Sequence, residues 1–104
     1  MWRFKDYKGT PIILTDQCWE EHILFRHPEV KKFLGKMQKV LEAPDVWRES
    51  DKDENVVLYY KSGIIKGKYG ELFLVVVVRY EKDKKHGYVA TAYLTKKPKG
   101  GYTK

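Results

Sequence analysis

The sequence contains little cysteine and few metal-binding residues, and these shortages exclude several kinds of site. A single cysteine, Cys18, among 104 residues excludes an internal disulfide and suits a reducing compartment. The three histidines form no His-Glu-x-x-His motif, no Cys-x-x-Cys pair exists, and no glycine-rich turn follows a predicted strand. The sequence therefore predicts neither a metal centre nor a cofactor. Because Cys18 lies in a helical pattern, we interpret it as a small buried thiol rather than a nucleophile.

Long apolar runs are also missing. No stretch approaches the roughly 20 apolar residues that cross a membrane, and the start Met-Trp-Arg-Phe-Lys-Asp does not resemble a signal peptide. We therefore expect a cytoplasmic protein without a membrane partner. A chain of this length supports one hydrophobic core, so residues 1–104 are predicted to form a single domain. Its last residues, about 96–104, are predicted to be a basic, loosely ordered tail.

Acidic residues are outnumbered by basic ones, and the excess is uneven. The formal net charge is +7: residues 1–50 contain nine Lys or Arg and eight Asp or Glu, whereas residues 51–104 contain twelve and six. A cationic half favours a polyanionic partner such as nucleic acid, although lysine-rich surfaces also serve solubility. We expect affinity for single-stranded RNA or tRNA that falls steeply as the salt concentration rises.

The strongest pattern in the sequence is a hairpin between Glu71 and Thr95. Residues 72–80 include four consecutive valines, which is typical of a buried strand. The charged segment 81–87 ends in a glycine that a hairpin loop tolerates, and 88–95 alternates like a second strand. Strict alternation predicts two faces for this second strand. One face has Ala90, Ala92 and Leu94, and the other has Val89, Thr91, Tyr93 and Thr95.

Two helices are predicted before this hairpin, at residues 16–26 and 28–42. Pro28 separates them, because a proline disfavours the helical conformation of the residue before it and suits the first position of a helix. The predicted fold is α+β, with two N-terminal helices packed on one face of an antiparallel sheet of about four strands. Strand patterns outside the hairpin lie around 46–47 and at 56–61, with weaker ones at 2–7 and 11–14.

The end of the first predicted helix carries the clearest chemical signal. His22, Arg26 and His27 place two imidazoles and a guanidinium within six residues. Imidazole is the side chain best suited to proton exchange near neutral pH, so His22 and His27 are the candidates for proton transfer and Arg26 for charge stabilisation. RNA cleavage through the 2′-hydroxyl needs a group that removes its proton, a group that protonates the leaving 5′-oxygen, and cations for the phosphorane. Each residue also has a plain structural interpretation, as a flanking polar residue, an ion-pair partner or a helix cap.

Polar residues of the predicted strands could complete such a site. Hydroxyls and cations on one sheet face would bind phosphate, and Tyr60 or Tyr93 could stack on a base. Residues of these types are also common on strands that face solvent. The candidate strand residues for phosphate binding and charge stabilisation are Lys61, Arg79, Thr91, Tyr93 and Thr95.

Several of these segments occur together in a known order. The stretches HILFRHPEV, LEAPDVW, LYYK, LFLVVVVRY and VATAYLTKKPKG follow one another over roughly residues 20–100. In this order they resemble small phage and bacterial domains of the barnase–EndoU–colicin–RelE-like nuclease superfamily. The ordered set of RHPE, YYK and TAYLT is moderately specific, whereas a run of valines alone occurs in many strands.

The resemblance implies a metal-independent endoribonuclease, often a toxin or phage effector, with two helices against a four-stranded antiparallel sheet. The partners it implies are RNA, either tRNA or mRNA, and a small acidic inhibitor or antitoxin protein. Lys96 stands where the family usually has an acidic residue, which weakens the case for a role of the tail. The site residues it implies are His22, Arg26, His27, Lys61, Arg79, Thr91, Tyr93, Thr95 and Lys99.

Two other functions fit the same sequence. The chain could be a non-catalytic module that binds RNA or DNA through its basic sheet, or the partner-binding protein of a toxin–antitoxin-like pair. Convergence of His22, Arg26 and the face of Tyr93 on one cleft would favour catalysis. Burial of His22 behind the helix would favour binding alone.

Overall fold

The secondary structure begins with two short strands rather than with a helix. The structure, a computed structural model, describes residues 1–67, 70–83, 85–96 and 102–103. Strands β1 (Trp2–Lys5) and β2 (Pro11–Leu14) form a hairpin whose turn contains Gly9 at φ +85°, which glycine adopts without steric cost. The predicted architecture is therefore corrected, because the helices follow this hairpin. Four-residue strands give sequence patterns too short to compete with the helices and the valine run.

The helical residues cover 16–26 and 28–42, as the sequence predicts, but fewer than half of them are α-helical. His27 lies between the two regions at φ −135° and ψ 65°, outside the helical range, as expected for a residue before proline. Among the described residues, no helix is long and apolar enough to cross a membrane. The successive segments are π-helical Cys18–Ile23, α-helical Leu24–Arg26, 3₁₀-helical Pro28–Lys36 and α-helical Met37–Glu42.

The strands form one mixed sheet. Its centre is antiparallel: β4 (Val56–Gly67) pairs with β5 (Gly70–Tyr80), and β5 pairs with β6 (Gly87–Thr95), as the valine run predicts. The expected sheet of about four antiparallel strands is corrected, because six strands and a short seventh take part and β2 pairs with β6 in parallel. The remaining strands are β3 (Val46–Glu49) and β7 (Tyr102–Thr103). The order across the sheet is β1-β2-β6-β5-β4-β3-β7.

A one-residue bulge in β6 changes which of its side chains point towards the helices. Adjacent residues of β5 pair with Thr91 and Val89, so Ala90 is the extra residue. Val89 and Ala92 both lie in the core beside the helices, whereas Ala90 is exposed. The predicted faces of Val89 and Ala90 are wrong for this reason. The Cys18 thiol donates a 3.1 Å hydrogen bond to the Val89 carbonyl at the bulge, and burial raises the pKa of that thiol.

Both faces of the central strands are apolar. On the side we call the helix face, side chains of the sheet pack against those of the two helical regions. We call the opposite side the far face, and it has its own cluster of buried residues. The helix face includes Ile12, Ile23, Val40, Tyr59, Leu74, Val76, Val78 and Ala92. The far face is defined by Leu58, Tyr60, Val75 and Val77, with Val46, Val56, Phe73 and Tyr93 packed against them.

Candidate functional site

Two tyrosines of the far face approach each other across one strand. Tyr60 of β4 and Tyr93 of β6 are both paired with Val75 of β5, so their backbones are two strand spacings, roughly 10 Å, apart. Tyr60 is 2% exposed, and Tyr93 packs on the same cluster. Their phenols lie close enough for Tyr60 to raise the pKa of Tyr93. The register of three strands thus brings two hydroxyl groups together above Val75.

Arg48 lies on β3, the strand next to β4, and its side chain reaches the same pair of tyrosines. Its Nε donates a 3.3 Å hydrogen bond to Tyr60 Oη, and its Nη1 lies 3.9 Å from Asp51 Oδ2. The strand places it there because Arg48 pairs with Leu58, and directly opposite residues of antiparallel strands project on the same side. Arg48 therefore supplies a cation to the far face at the hydroxyl of Tyr60.

His27 reaches the site from the junction of the two helical regions. Its ring lies 5.6 Å from the Tyr93 ring, centroid to centroid, with the planes tilted by 37°. Its Nδ1 lies 3.8 Å from Glu29 Oε2, so the imidazole also lies near a carboxylate. The local cause is Pro28, which keeps His27 out of the helix and turns it towards the strand.

The electrostatics of this group favour a protonated phenol beside a permanent cation. Burial raises the pKa of Tyr93, and the Tyr60 phenol raises it further, while Arg48 acts in the opposite direction. The hydrogen bond to Tyr60 raises the pKa of the Arg48 guanidinium more than burial lowers it. At neutral pH Tyr93 therefore keeps its proton, and Arg48 keeps its charge.

The other predicted residues of the first helix end lie on the surface. His22 is exposed in the π-helical segment, and Arg26 is exposed at the end of the following turn. Within the part of the chain that the structure describes, neither side chain makes a hydrogen bond or an ion pair. Of the three residues proposed from this segment, the geometry brings His27 into contact with the sheet.

The predicted strand residues divide between the two sides of the sheet. Thr91 and Thr95 share the side of Tyr93 by alternation along β6. Arg79 is 64% exposed at its side chain and lies 3.3 Å from Asp53 Oδ2. The roles of these residues stay predictions, and Lys99 lies outside the described residues.

Lys61 points away from Tyr60, its neighbour in the chain. Its Nζ donates a 2.8 Å hydrogen bond to the Ala43 carbonyl at the end of the second helical region and lies 3.7 Å from Asp45 Oδ1. Although burial opposes it, hydrogen bonds from Ser62 and the charge of Lys61 lower the pKa of Asp45. Lys61 thus links the end of the second helical region to β4 and does not belong to the group around Tyr93.

Sequence reasoning missed Arg48. Val46 and Trp47 are apolar and Arg48 and Glu49 are polar, so each face of the strand receives one apolar and one polar residue and the pattern does not show which face is buried. The structure shows that Trp47 packs on the helix face and Val46 on the far face. Pairing of β3 with the strand that contains Tyr60 then assigns Arg48 to the far face.

The group formed by His27, Tyr93, Tyr60 and Arg48, which we call the His27–Arg48 cluster, contains three complementary chemical functions. An imidazole accepts or donates a proton, a protonated phenol donates one, and a guanidinium stabilises negative charge. Among the described residues, no group of three or more His, Cys, Asp or Glu has the geometry to hold a metal ion.

The chain was compared with protein-family models, with curated proteins and with solved structures. None of the three comparisons gave a match. The function is therefore inferred from the geometry and chemistry of the site.

Proposed function

We propose that the protein is an endoribonuclease that cleaves tRNA or mRNA by transesterification at the 2′-hydroxyl, without a metal ion, through the His27–Arg48 cluster. The observation that carries this proposal is the contact of the His27 imidazole with the Tyr93 phenol, 5.6 Å between ring centroids. In this contact a proton acceptor lies beside a proton donor, and Arg48 is hydrogen-bonded to the neighbouring Tyr60.

The proposed reaction assigns one task to each residue. His27 removes the 2′-hydroxyl proton, and the 2′-oxygen forms a bond to phosphorus. Arg48 stabilises the negative charge that develops on the phosphorane oxygens. The bond from phosphorus to the 5′-oxygen then breaks, and Tyr93 gives its proton to that oxygen. Transfer of the proton from His27 to the Tyr93 phenolate through solvent restores the enzyme and leaves a 2′,3′-cyclic phosphate and a 5′-hydroxyl.

Charge and exposure support RNA as the substrate. The chain has a net charge of +7, and exposed Arg79 lies on the same side of the sheet as the cluster. Cations on a protein surface attract a polyanionic backbone, and a tyrosine ring such as that of Tyr93 can stack on a base. A small acidic inhibitor protein would suit the same cationic surface.

The test compares the three histidines of the chain on a fluorogenic RNA oligonucleotide and on tRNA. His27→Ala should reduce cleavage by about 10²–10⁴-fold, which is the usual contribution of general acid–base catalysis. His86→Ala is the matched control, because His86 lies at the β5–β6 hairpin, where it contacts Tyr88 and Glu81. His22→Ala tests the prediction that this exposed residue handles protons.

The products and the chelator response identify the chemistry. Mass spectrometry should detect 2′,3′-cyclic phosphate ends, and excess EDTA should not change the rate. Full cleavage by His27→Ala, or loss of cleavage with EDTA, would overturn the proposal. Salt-dependent RNA binding without any cleavage by the native chain would instead establish the binding-module alternative.

A further inference from the structure

A second concave site lies on the helix face, on the other side of the sheet from the His27–Arg48 cluster. It is a cavity of about 190 Å³ between the β1–β2 turn and the start of β4. Its aromatic wall consists of Tyr7, Trp47, Tyr59 and Tyr80. Three carboxyl groups, those of Asp6, Glu49 and Glu54, also line it. Aromatic rings combined with carboxylates are the groups that bind organic cations.

The floor of this cavity is a closed hydrogen-bond network. Asp6, which is 6% exposed, accepts hydrogen bonds from the backbone N–H groups of Lys8 and Thr10 through Oδ1. Its Oδ2 accepts a 2.7 Å hydrogen bond from Tyr80 Oη, which lies 2.6 Å from Tyr59 Oη. These bonds fix the orientation of two of the aromatic rings. The wall is therefore formed before any ligand arrives, which lowers the cost of binding.

The lining of the cavity contains more acidic than basic residues. Glu49 and Glu54 are exposed, and within the described part of the chain neither carboxylate has a hydrogen-bond or ion-pair partner. One basic residue, Lys8, lines the cavity with the three acidic ones. Its Nζ lies 5.6 Å from the centroid of the Tyr7 ring. The aromatic wall thus already holds an ammonium group of the chain itself at cation–π distance.

We propose that this cavity binds an alkylammonium group, with the charged head between the rim carboxylates and the aromatic rings. The volume is smaller than the roughly 300–1,000 Å³ that encloses drug-sized ligands, so a small amine or one side chain would fill it. The same chemistry is offered by a free amine and by a lysine side chain of another protein. This inference is independent of the ribonuclease proposal, because none of its residues belongs to the His27–Arg48 cluster.

The experiment follows the indole N–H signal of Trp47 by NMR during titration with n-butylammonium. Three tryptophans give three indole signals, and Trp47→Phe identifies the one to follow. We expect saturable shifts of the Trp47 signal with n-butylammonium and none with 1-butanol, its uncharged isostere. A second titration uses the peptide acetyl-Gly-Lys-Gly-amide, and tighter binding of this peptide than of n-butylammonium would assign the site to a lysine side chain.

Charge variants test whether the rim is responsible. Glu49→Gln combined with Glu54→Gln should weaken n-butylammonium binding by at least about fivefold, because two nearby opposite charges are removed. The matched control is Glu20→Gln with Glu21→Gln, which removes the same charge from the exposed side of the first helical region. No saturable shift of Trp47, equal shifts with 1-butanol, or equal weakening by the control pair would overturn the proposal. Circular dichroism of each variant verifies that it is folded.

Discussion

Tyr59 and Tyr60 are neighbours in the chain but belong to opposite faces of the sheet and to opposite electrostatic environments. The Tyr59 hydroxyl lies 2.6 Å from that of Tyr80, which donates to a buried carboxyl, that of Asp6. The Tyr60 hydroxyl accepts a hydrogen bond from Arg48 and interacts with the Tyr93 phenol. The Tyr59–Tyr80 pair is therefore hydrogen-bonded to a carboxyl group, whereas the Tyr60–Tyr93 pair lies beside a guanidinium.

This difference in surroundings suits the Tyr59–Tyr80 pair to a structural role and the Tyr60–Tyr93 pair to the proposed reaction. Burial, the bond to Tyr59 and the bond to Asp6 all raise the pKa of Tyr80, so its phenol cannot ionise near neutral pH. At Tyr93 the charge of Arg48 works against the rise in pKa, which gives a phenolate formed there a nearby counterion. A proton donor that must release its proton during a reaction belongs in the second environment.

Within this comparison of the two pairs of tyrosines, the largest effect is expected from removing the cation, Arg48. Arg48→Ala should lower kcat/KM for RNA cleavage by about 10²–10³-fold, because it removes a donor that stabilises the developing charge. Arg79→Ala is the control, since Arg79 lies on the same side of the sheet but pairs with Asp53. Its expected loss is tenfold or less, mainly through weaker RNA binding. A larger loss for Arg79→Ala would transfer the catalytic role to that residue.

A stability effect should distinguish the structural network. Tyr80→Phe leaves the Asp6 carboxyl without its hydroxyl donor and should lower the free energy of unfolding by about 1–3 kcal/mol, with unchanged kcat for cleavage. Tyr93→Phe should have the opposite profile, with a smaller loss of stability and a large loss of kcat. Urea unfolding at pH 7 and single-turnover cleavage measure the two quantities. The comparison fails if both variants lose stability and activity in equal proportion.

Alkaline pH should destabilise the fold through the phenols of Tyr59 and Tyr80. Burial raises the pKa of Tyr59 and of Tyr80 above the usual value of about 10, so above that pH the unfolded chain loses these protons before the folded chain does. Their stabilising contribution is complete below about pH 10 and decreases as the pH rises, by up to about 1.4 kcal/mol per pH unit for each phenol.

Urea titrations between about pH 9 and pH 11 measure this slope, and Tyr59→Phe should reduce it by the share of one phenol. Tyr88→Phe is the control, because the Tyr88 ring is 37% exposed on β6. Equal slopes for native protein and Tyr59→Phe would contradict the assignment.

The smallest effect is expected at Lys61. Its ammonium binds the Ala43 carbonyl and lies beside Asp45, so Lys61→Met should cost about 0–1 kcal/mol of stability, as is typical of a partly exposed ion pair. Cleavage should change by less than about threefold, since Lys61 lies on the helix face. Lys52→Met, in the loop before β4, is the matched control. A strong loss of cleavage specific to Lys61→Met would restore its predicted role in catalysis.

The parts of the fold that the sequence predicts are those with strong local patterns. The valines of β5 predict the central antiparallel hairpin, and Pro28 predicts the break between the helical regions. The parallel pairing of β2 with β6 could not be predicted in this way. It joins Ile12 to Gly87 across both helical regions and three other strands, so no short segment contains its signal.

The candidate site could be predicted only in part, for a related reason. The sequence pointed to His27 and Tyr93 through their residue types, and the structure brings their rings into contact. The sequence could not show which basic residue lies beside Tyr60, because that depends on strand pairing and on the face of the sheet to which each side chain points. Lys61 follows Tyr60 and therefore faces the helices, whereas Arg48 reaches Tyr60 from the paired strand β3.

Because of the bulge at Ala90, the number of residues between Gly87 and Tyr93 matters for the candidate site. Side chains alternate along a strand, so the single extra residue sets the side on which Tyr93 emerges relative to Gly87 at the beginning of β6. If Ala90 were kept but paired regularly, without the bulge, Tyr93 would point towards the helices and Leu94 towards Tyr60. A related sequence should therefore be aligned by counting residues from the loop glycine to the tyrosine. A one-residue gap in that interval would indicate a regular strand in which the tyrosine still lies opposite Val75, beside Tyr60.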